Sequence, residues 1–159
     1  MKGLSKYFGE GDGKVVALDA GLDIVNGGPT LLRAGKVVDD YAAEGWSPEG
    51  LAPDGAASAA SRLNFFNGWV LRRNPRTAAG VMRDGTLLLV TVDGRNPTHS
   101  VGASIPEMAR IMRDLGAVDA LNLDGGGSTA TYVNGLLQGV PSDAAGERPD
   151  GDAIVILPR

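Results

Sequence analysis

Residues 104–129 read SIPEMARIMRDLGAVDALNLDGGGST, and this stretch decides the fold. Its first half carries the marks of a helix. Ser104 and Glu107 stand at capping-box spacing. Pro106 falls in the first turn, where its missing N–H is harmless. Ile105, Met108, Ala109, Ile111, Met112 and Leu115 recur at helical intervals until Gly116 ends the pattern. Residues 118–123 then read as a strand that runs into Asp124-Gly125-Gly126-Gly127-Ser128-Thr129. A helix feeding a strand, in a chain otherwise full of strand and turn signals, predicts an α+β fold: a mixed β-sheet with a helix packed on one face.

Strand and turn signals continue in both directions. Downstream, residues 131–133 and 136–138 flank Asn134-Gly135 as a hairpin, and residues 153–157 read as a last strand. Upstream, residues 77–82 look like a strand, Asp84-Gly85 is a tight-turn pair, and TLLLVTV (residues 86–92) is a continuous run typical of a strand buried on both faces. That run ends at Asp93-Gly94-Arg95. Further upstream, residues 30–33 and 36–38 form a hairpin about Ala34-Gly35, after the turn signal Asn26-Gly27-Gly28-Pro29. A short apolar run occupies residues 15–18. The sum is eight or nine strands and one clear helix. Residues 41–61 lose all periodicity and have the composition of a mobile loop. Residues 1–14 look like a frayed or truncated start, leaving residues 15–159 as one domain.

Composition removes several classes of function. The 159 residues carry 15 basic and 19 acidic side chains, a net charge of −4 without a basic run, so nucleic acid is not an expected partner. No apolar run approaches the ~20 residues of a membrane span, and no secretory signal opens the chain. The absence of cysteine excludes disulfides, thiolate catalysis and Cys-based zinc sites. The single histidine, His99, weakens any His-based triad and reads as a loop residue. Trp46 and Trp69 read as packing residues. Glycine is the outlier, 24 residues, which implies many tight turns and close backbone approaches.

Chemistry has four places to sit. The strand ending at Asn122-Leu123 delivers Asp124 to a glycine triplet whose exposed N–H groups suit an anion, with Ser128 and Thr129 adding hydroxyls. It lacks the spacing of a nucleotide loop. Asp93-Gly94-Arg95 ends another apolar strand. Asn74-Pro75-Arg76-Thr77 enters a strand, and its guanidinium fork suits phosphate or carboxylate. Glu147-Arg148-Pro149 is the fourth. Each has a plainer reading, as a tight turn, a turn with a solvated Arg, a surface ion pair and a solvated turn in that order. If they converge, the guanidinium and amide groups hold a phosphate while two carboxylates act at an electrophilic carbon beside it. A sugar joined through its anomeric carbon to phosphate fits that description. Spacing alone reaches no further than an anion site.

Residues 76–149 resemble the phosphodiester glycosidase family. The resemblance lies in Pro75-Arg76-Thr77-Ala78, Val90-Thr91-Val92-Asp93-Gly94-Arg95, Ser100-Val101-Gly102 and Ala120-Leu121-Asn122-Leu123-Asp124-Gly125-Gly126-Gly127-Ser128. Pro141-Ser142-Asp143 with Arg148-Pro149 closes it more weakly. Asn26-Gly27-Gly28-Pro29, followed by Leu31 and Gly35, looks like the family's earlier glycine turn. The resemblance implies hydrolysis of a sugar 1-phosphodiester. By position, Asp93 and Asp124 look like the acidic pair. Arg76, Thr77, Arg95, Asn122, Gly125, Gly126, Gly127 and Ser128 look like substrate or phosphate binders. Three departures stand out: the family's upstream segment ending in aromatics is not recognisable, as in a C-terminal portion of the domain; Thr129 replaces a common second Ser; and the 41–61 loop is longer than usual.

Two readings of function follow. One is a phosphodiester glycosidase; the other is a non-catalytic module that binds phosphoglycans of the cell envelope. The expected partner in both is a sugar phosphate or phosphoglycan, and an exposed sheet edge would allow a homo-oligomer. No cofactor is expected. Asp and carbonyl oxygens suit Ca²⁺, but no segment has the spacing of a dedicated metal site. The resemblance implies an extracellular or envelope location.

Overall fold

The computed structural model describes residues 27–47, 59–150 and 153–156, without the side chains of residues 59–62. The expected frayed start, the apolar run at 15–18 and the centre of the expected loop, 48–58, lie outside these residues. Seven strands are formed among them: β1 (Thr30–Arg33), β2 (Lys36–Val37), β3 (Arg76–Met82), β4 (Leu87–Val92), β5 (Ala117–Asn122), β6 (Tyr132–Val133) and β7 (Leu136–Leu137). Helix α1 (Ala59–Phe66) runs into a π-helical turn (Asn67–Leu71), and α2 spans Ile105–Asp114. The first five strands form one sheet in the order β2-β1-β5-β3-β4, and β6 and β7 form a separate hairpin. Every pairing among them is antiparallel.

Turn chemistry sets the hairpins. Ala34 and Gly35 both take positive φ, the geometry of a two-residue turn. Asp84 accepts the Thr86 N–H at 2.9 Å and closes the β3–β4 corner at Gly85. In α2 the capping box is complete: Ser104 Oγ accepts the Glu107 N–H at 3.3 Å, and Glu107 accepts the Ser104 N–H at 2.9 Å. The apolar stripe of α2 then lies on the sheet. Ile105, Met108, Ala109 and Met112 are fully buried against Leu31 and Leu32 of β1, Ala78 of β3, and Ala117 and Ala120 of β5. Gly80 permits that approach, because a Cβ there would stand 2.6 Å from Met112 Cε. The α+β class and the helix on one face are as expected.

Three expectations need correction. β4 is not buried on both faces: it is an edge strand, with Leu87 and Leu89 about 40% exposed. Residues 153–156 are exposed and form no strand. The chain also has a second helix, α1, beginning inside the stretch read as a loop.

Arg73 reaches across from the segment before β3 to hold Glu107, with its Nε 3.0 Å from each carboxylate oxygen. This bond, with the Ser104 N–H, holds the Glu107 carboxyl down at about 2. Its folded value lies below the unfolded one. The stabilisation is therefore complete above the ordinary carboxylate range and is lost as pH falls through about 2. Glu107→Gln keeps a capping acceptor but removes the charge. It is expected to cost about 1 kcal/mol at neutral pH after solvent screening. Urea denaturation of both proteins across pH checks this, with the two curves converging near the acid limit.

Candidate active site

β4 and β5 both run antiparallel to β3 and end beside its start, with Val92 opposite Arg76 and Asn122 opposite Ala78. The two acidic turns therefore arrive at the same edge of the sheet, on either side of the Asn74-Pro75-Arg76 corner. Gly94, after Asp93, packs so closely that a Cβ would stand 2.6 Å from Pro75 N. Gly125, after Asp124, packs on the other side, with a Cβ position 2.8 Å from Pro75 O. Gly102 closes the corner from a third direction: at φ +90° its Cβ position is 2.3 Å from Asn74 O. No side chain fits between these backbones.

Asn74 is the keystone, and nothing in the sequence marked it above its neighbours. It is buried, and its Nδ2 donates to the Gly68 and Arg72 carbonyls at 2.9 and 3.2 Å. Its Oδ1 accepts from Arg95 Nη2 at 3.1 Å and Nε at 3.3 Å. Arg95 thereby lies over the glycine turn, 3.1 Å from where a Gly126 Cβ would stand. Arg148 lies over Gly127 in the same way, 2.4 Å from its Cβ position. Asp143 sits between the two cations, with Oδ2 2.8 Å from Arg148 Nη2 and Oδ1 4.0 Å from Arg95 Nη1.

Arg76 is fully buried, an unusual place for a guanidinium. Its Nε donates to the Ala103 carbonyl at 2.8 Å, and its Nη2 donates to the carbonyls of Arg72, at 3.1 Å, and of Trp69. Its guanidinium carbon stands 4.9 Å from the centre of the Trp69 ring, a cation–π contact. Nη1 is buried without a partner, and no carboxylate pairs with Arg76 among the described residues. Burial and then the neighbouring Arg95 cation pull Arg76 down to about 10, which leaves it charged at neutral pH.

The two acids differ. Asp93 Oδ2 accepts from the Val140 N–H at 3.0 Å and meets His99 Nε2 at 2.9 Å, while Ser100 Oγ donates to the Asp93 carbonyl at 2.6 Å. His99, read as a plain loop residue, is thus a partner of a candidate acid. Asp124 is exposed, and its carboxylate accepts only the Gly125 N–H, at 2.8 Å, among the described residues. Asn122 is fully buried; its Nδ2 ties Gly28 O and Leu123 O at 3.0 and 2.8 Å, and its Oδ1 is left unpartnered. Thr77 Oγ1 lies 3.4 Å from Thr129 Oγ1. Ser128 is half-buried within the turn.

The glycine triplet differs from the expected array of free amides. The N–H groups of Gly125, Gly126, Ser128 and Thr129 already bond to the Asp124 carboxylate and to the carbonyls of Pro75, Gly125 and Gly126. What the missing side chains provide is room: two guanidinium groups lie directly on the turn. The exposed cationic groups at the turn are Arg95 and Arg148, whereas the unpartnered Nη1 of Arg76 is buried. No cluster of metal-ligating side chains occurs among the described residues. A separate cleft of about 440 Å³, lined by Val81, Met82, Arg83 and Asp119, lies at the far end of the sheet.

Comparison with known proteins identifies the family of the chain. Residues 11–157 match the family model described as Phosphodiester glycosidase. The mouse N-acetylglucosamine-1-phosphodiester alpha-N-acetylglucosaminidase is 42% identical over 78 residues, which cover 49% of this chain and 15% of that protein. A Burkholderia pseudomallei K96243 protein described as exported superposes with a TM-score of 0.65 at 52% identity, over 76% of this chain and 22% of its own. The zebrafish N-acetylglucosamine-1-phosphodiester alpha-N-acetylglucosaminidase catalytic domain, auto-inhibited by its pro-peptide, superposes with a TM-score of 0.55 at 30% identity, over 79% of this chain and 36% of its own. The chain thus spans between about a seventh and about a third of the length of these relatives. No helix among the described residues is long and apolar enough to cross a membrane.

Proposed function

From the chain's membership of the phosphodiester glycosidase family, shown by the match over residues 11–157, we propose that it hydrolyses a sugar 1-phosphodiester at the edge where β3, β4 and β5 meet. The observation that carries this reading is the pair of guanidinium groups, Arg95 and Arg148, lying on the glycine turn. Asp143 is the carboxylate that pairs with them among the described residues, and Asp93 and Asp124 end their strands at the same edge. Guanidinium forks match the oxygens of a phosphate.

The chemistry follows from the leaving group. A phosphate monoester departs as a weak base, so cationic clamping substitutes for strong protonation of the departing oxygen. Water adds to the anomeric carbon and gives up a proton to a carboxylate at this edge, the bond from that carbon to the phosphate oxygen breaks, and the phosphate keeps the electron pair. Asp124, exposed and lightly held, is the acid able to meet the sugar. Asp93 is fixed by the Val140 N–H and by His99, and it belongs to the same edge. The engagement of Asp93 favours a second reading, a site that binds phosphoglycans without cleaving them. The likeness to a protein described as exported supports work outside the cytoplasm or in the cell envelope.

Incubation of the chain with a nitrophenyl-activated sugar 1-phosphodiester tests the reading. Equal amounts of free sugar and phosphomonoester are expected. Saturable binding with neither product would replace the hydrolase by the binding module.

A further inference from the structure

We propose that Asp143 is a charge filter: it weakens the guanidinium cluster's hold on a doubly charged phosphomonoester more than its hold on a singly charged phosphodiester. The inference rests on the reading of the glycine turn as the anion site, and it adds a residue that discriminates substrate from product.

The argument begins with the position of the carboxylate. Asp143 is bonded through Oδ2 to both Nε and Nη2 of Arg148, at 3.1 and 2.8 Å, and its Oδ1 faces Arg95 Nη1 at 4.0 Å. Both guanidinium groups lie on the glycine turn, and Asp143 Oδ2 itself stands 2.3 Å from the place a Gly127 Cβ would occupy. A fixed anion thus sits among the cations that a substrate phosphate would use. It is about two-thirds withdrawn from solvent, with 29% of its side chain exposed, so water screens it only in part.

Such a group acts differently on different ligands. A phosphodiester carries one negative charge at neutral pH, whereas a phosphomonoester carries between one and a half and two. The attraction of the arginines grows with ligand charge, and so does the repulsion from Asp143. Each added ligand charge meets a site already partly neutralised, so the monoester gains less from its extra charge than an unneutralised cluster would give it. Cleavage converts the first ligand into the second. The filter therefore weakens the hold on the product after the sugar–phosphate bond has broken and favours its release.

Two simple anions test the proposal without turnover: dimethyl phosphate, a monoanion, and methyl phosphate, largely a dianion at about pH 8. Their dissociation constants are measured by calorimetry on the wild-type chain and on Asp143→Asn. Methyl phosphate is expected to bind about tenfold more tightly to the variant, with dimethyl phosphate changing by less than about threefold. A ratio of the two constants that is the same in both proteins would overturn the proposal. So would weaker binding of both anions by the variant, since Asp143 would then serve only to brace Arg148. Asp143→Ser carries the same expectation if the Asn variant does not fold. Failure of either protein to bind any phosphate would also overturn it, whereas tight phosphate binding without hydrolysis would defeat the hydrolase reading and leave the filter standing.

Discussion

Asp124→Asn is expected to lower turnover of a sugar 1-phosphodiester by about a thousandfold, while the melting temperature stays within a few degrees of wild type. The chemical half of this expectation comes from position. β5 delivers Asp124 to the edge shared with Arg76 and Arg95, and among the described residues its carboxylate is committed to a single N–H, that of Gly125. A carboxylate so lightly held has an oxygen left for a proton or for the anomeric carbon. Asn presents the same shape without the charge or the basicity. The structural half follows from the same contact. The Asn Oδ1 accepts the Gly125 N–H as the carboxylate does, and the side chain is exposed, so little packing is lost. Initial rates and thermal melts on one preparation separate the two effects. Turnover within a factor of three of wild type would remove Asp124 from the chemistry.

Arg76→Met is expected to cost about 3 kcal/mol of stability and to lower the melting temperature by about 10 °C. Two opposing terms decide the sign. Methionine relieves the desolvation of a buried cation, a gain of several kcal/mol in a dry site. Against this, three charge-assisted bonds are lost: the Trp69 carbonyl loses the guanidinium as its donor, and the Ala103 and Arg72 carbonyls keep only those from the Asn74 N–H and Asn74 Nδ2. The second term wins because three bonds to a charged donor and its contact with Trp69 are lost together. The substitution also releases Trp69, whose ring packs beneath that group. Arg76→Lys is expected to recover little, since one ammonium cannot reach three carbonyls in a planar fan. Chemical denaturation of the three proteins gives the numbers. A loss below about 0.5 kcal/mol would mean that the carbonyls find water, and Arg76 would then be held in place for a ligand alone.

Much of the fold was legible because local chemistry dictated it. The capping box at Ser104 and Glu107, the apolar stripe behind it, and the Ala34-Gly35, Asp84-Gly85 and Asn134-Gly135 turns each act within a few residues, and all of them appear in the structure. The place of β4 was not legible. A run of Leu and Val states that a strand forms, not which neighbours it finds, and here one side of the strand has no partner among the described residues. α1 begins in a string of alanine and serine that carries no apolar stripe, so periodicity gave no signal for it.

The site divides in the same way. Asp-Gly-Arg and Asp-Gly-Gly-Gly at strand ends were visible as chemistry-bearing turns, and their arrival at one edge follows from the pairing of β4 and β5 with β3. The burial of Arg76 was not visible, because a lone arginine before a strand most often meets solvent. Its environment arises from carbonyls at positions 69, 72 and 103, which only the folded chain brings together. The glycine triplet was legible as a place of close approach. That guanidinium groups lie on it, with the Gly125 and Gly126 amides already bonded, required the tertiary structure.

A crystal structure of the chain with a sugar 1-phosphate bound tests the central claim most directly. The account predicts phosphate oxygens on the guanidinium groups of Arg95 and Arg148 above Gly126 and Gly127, with the Asp124 carboxylate facing the anomeric carbon. A phosphate seated instead in the cleft beside Arg83, at the other end of the sheet, would contradict it.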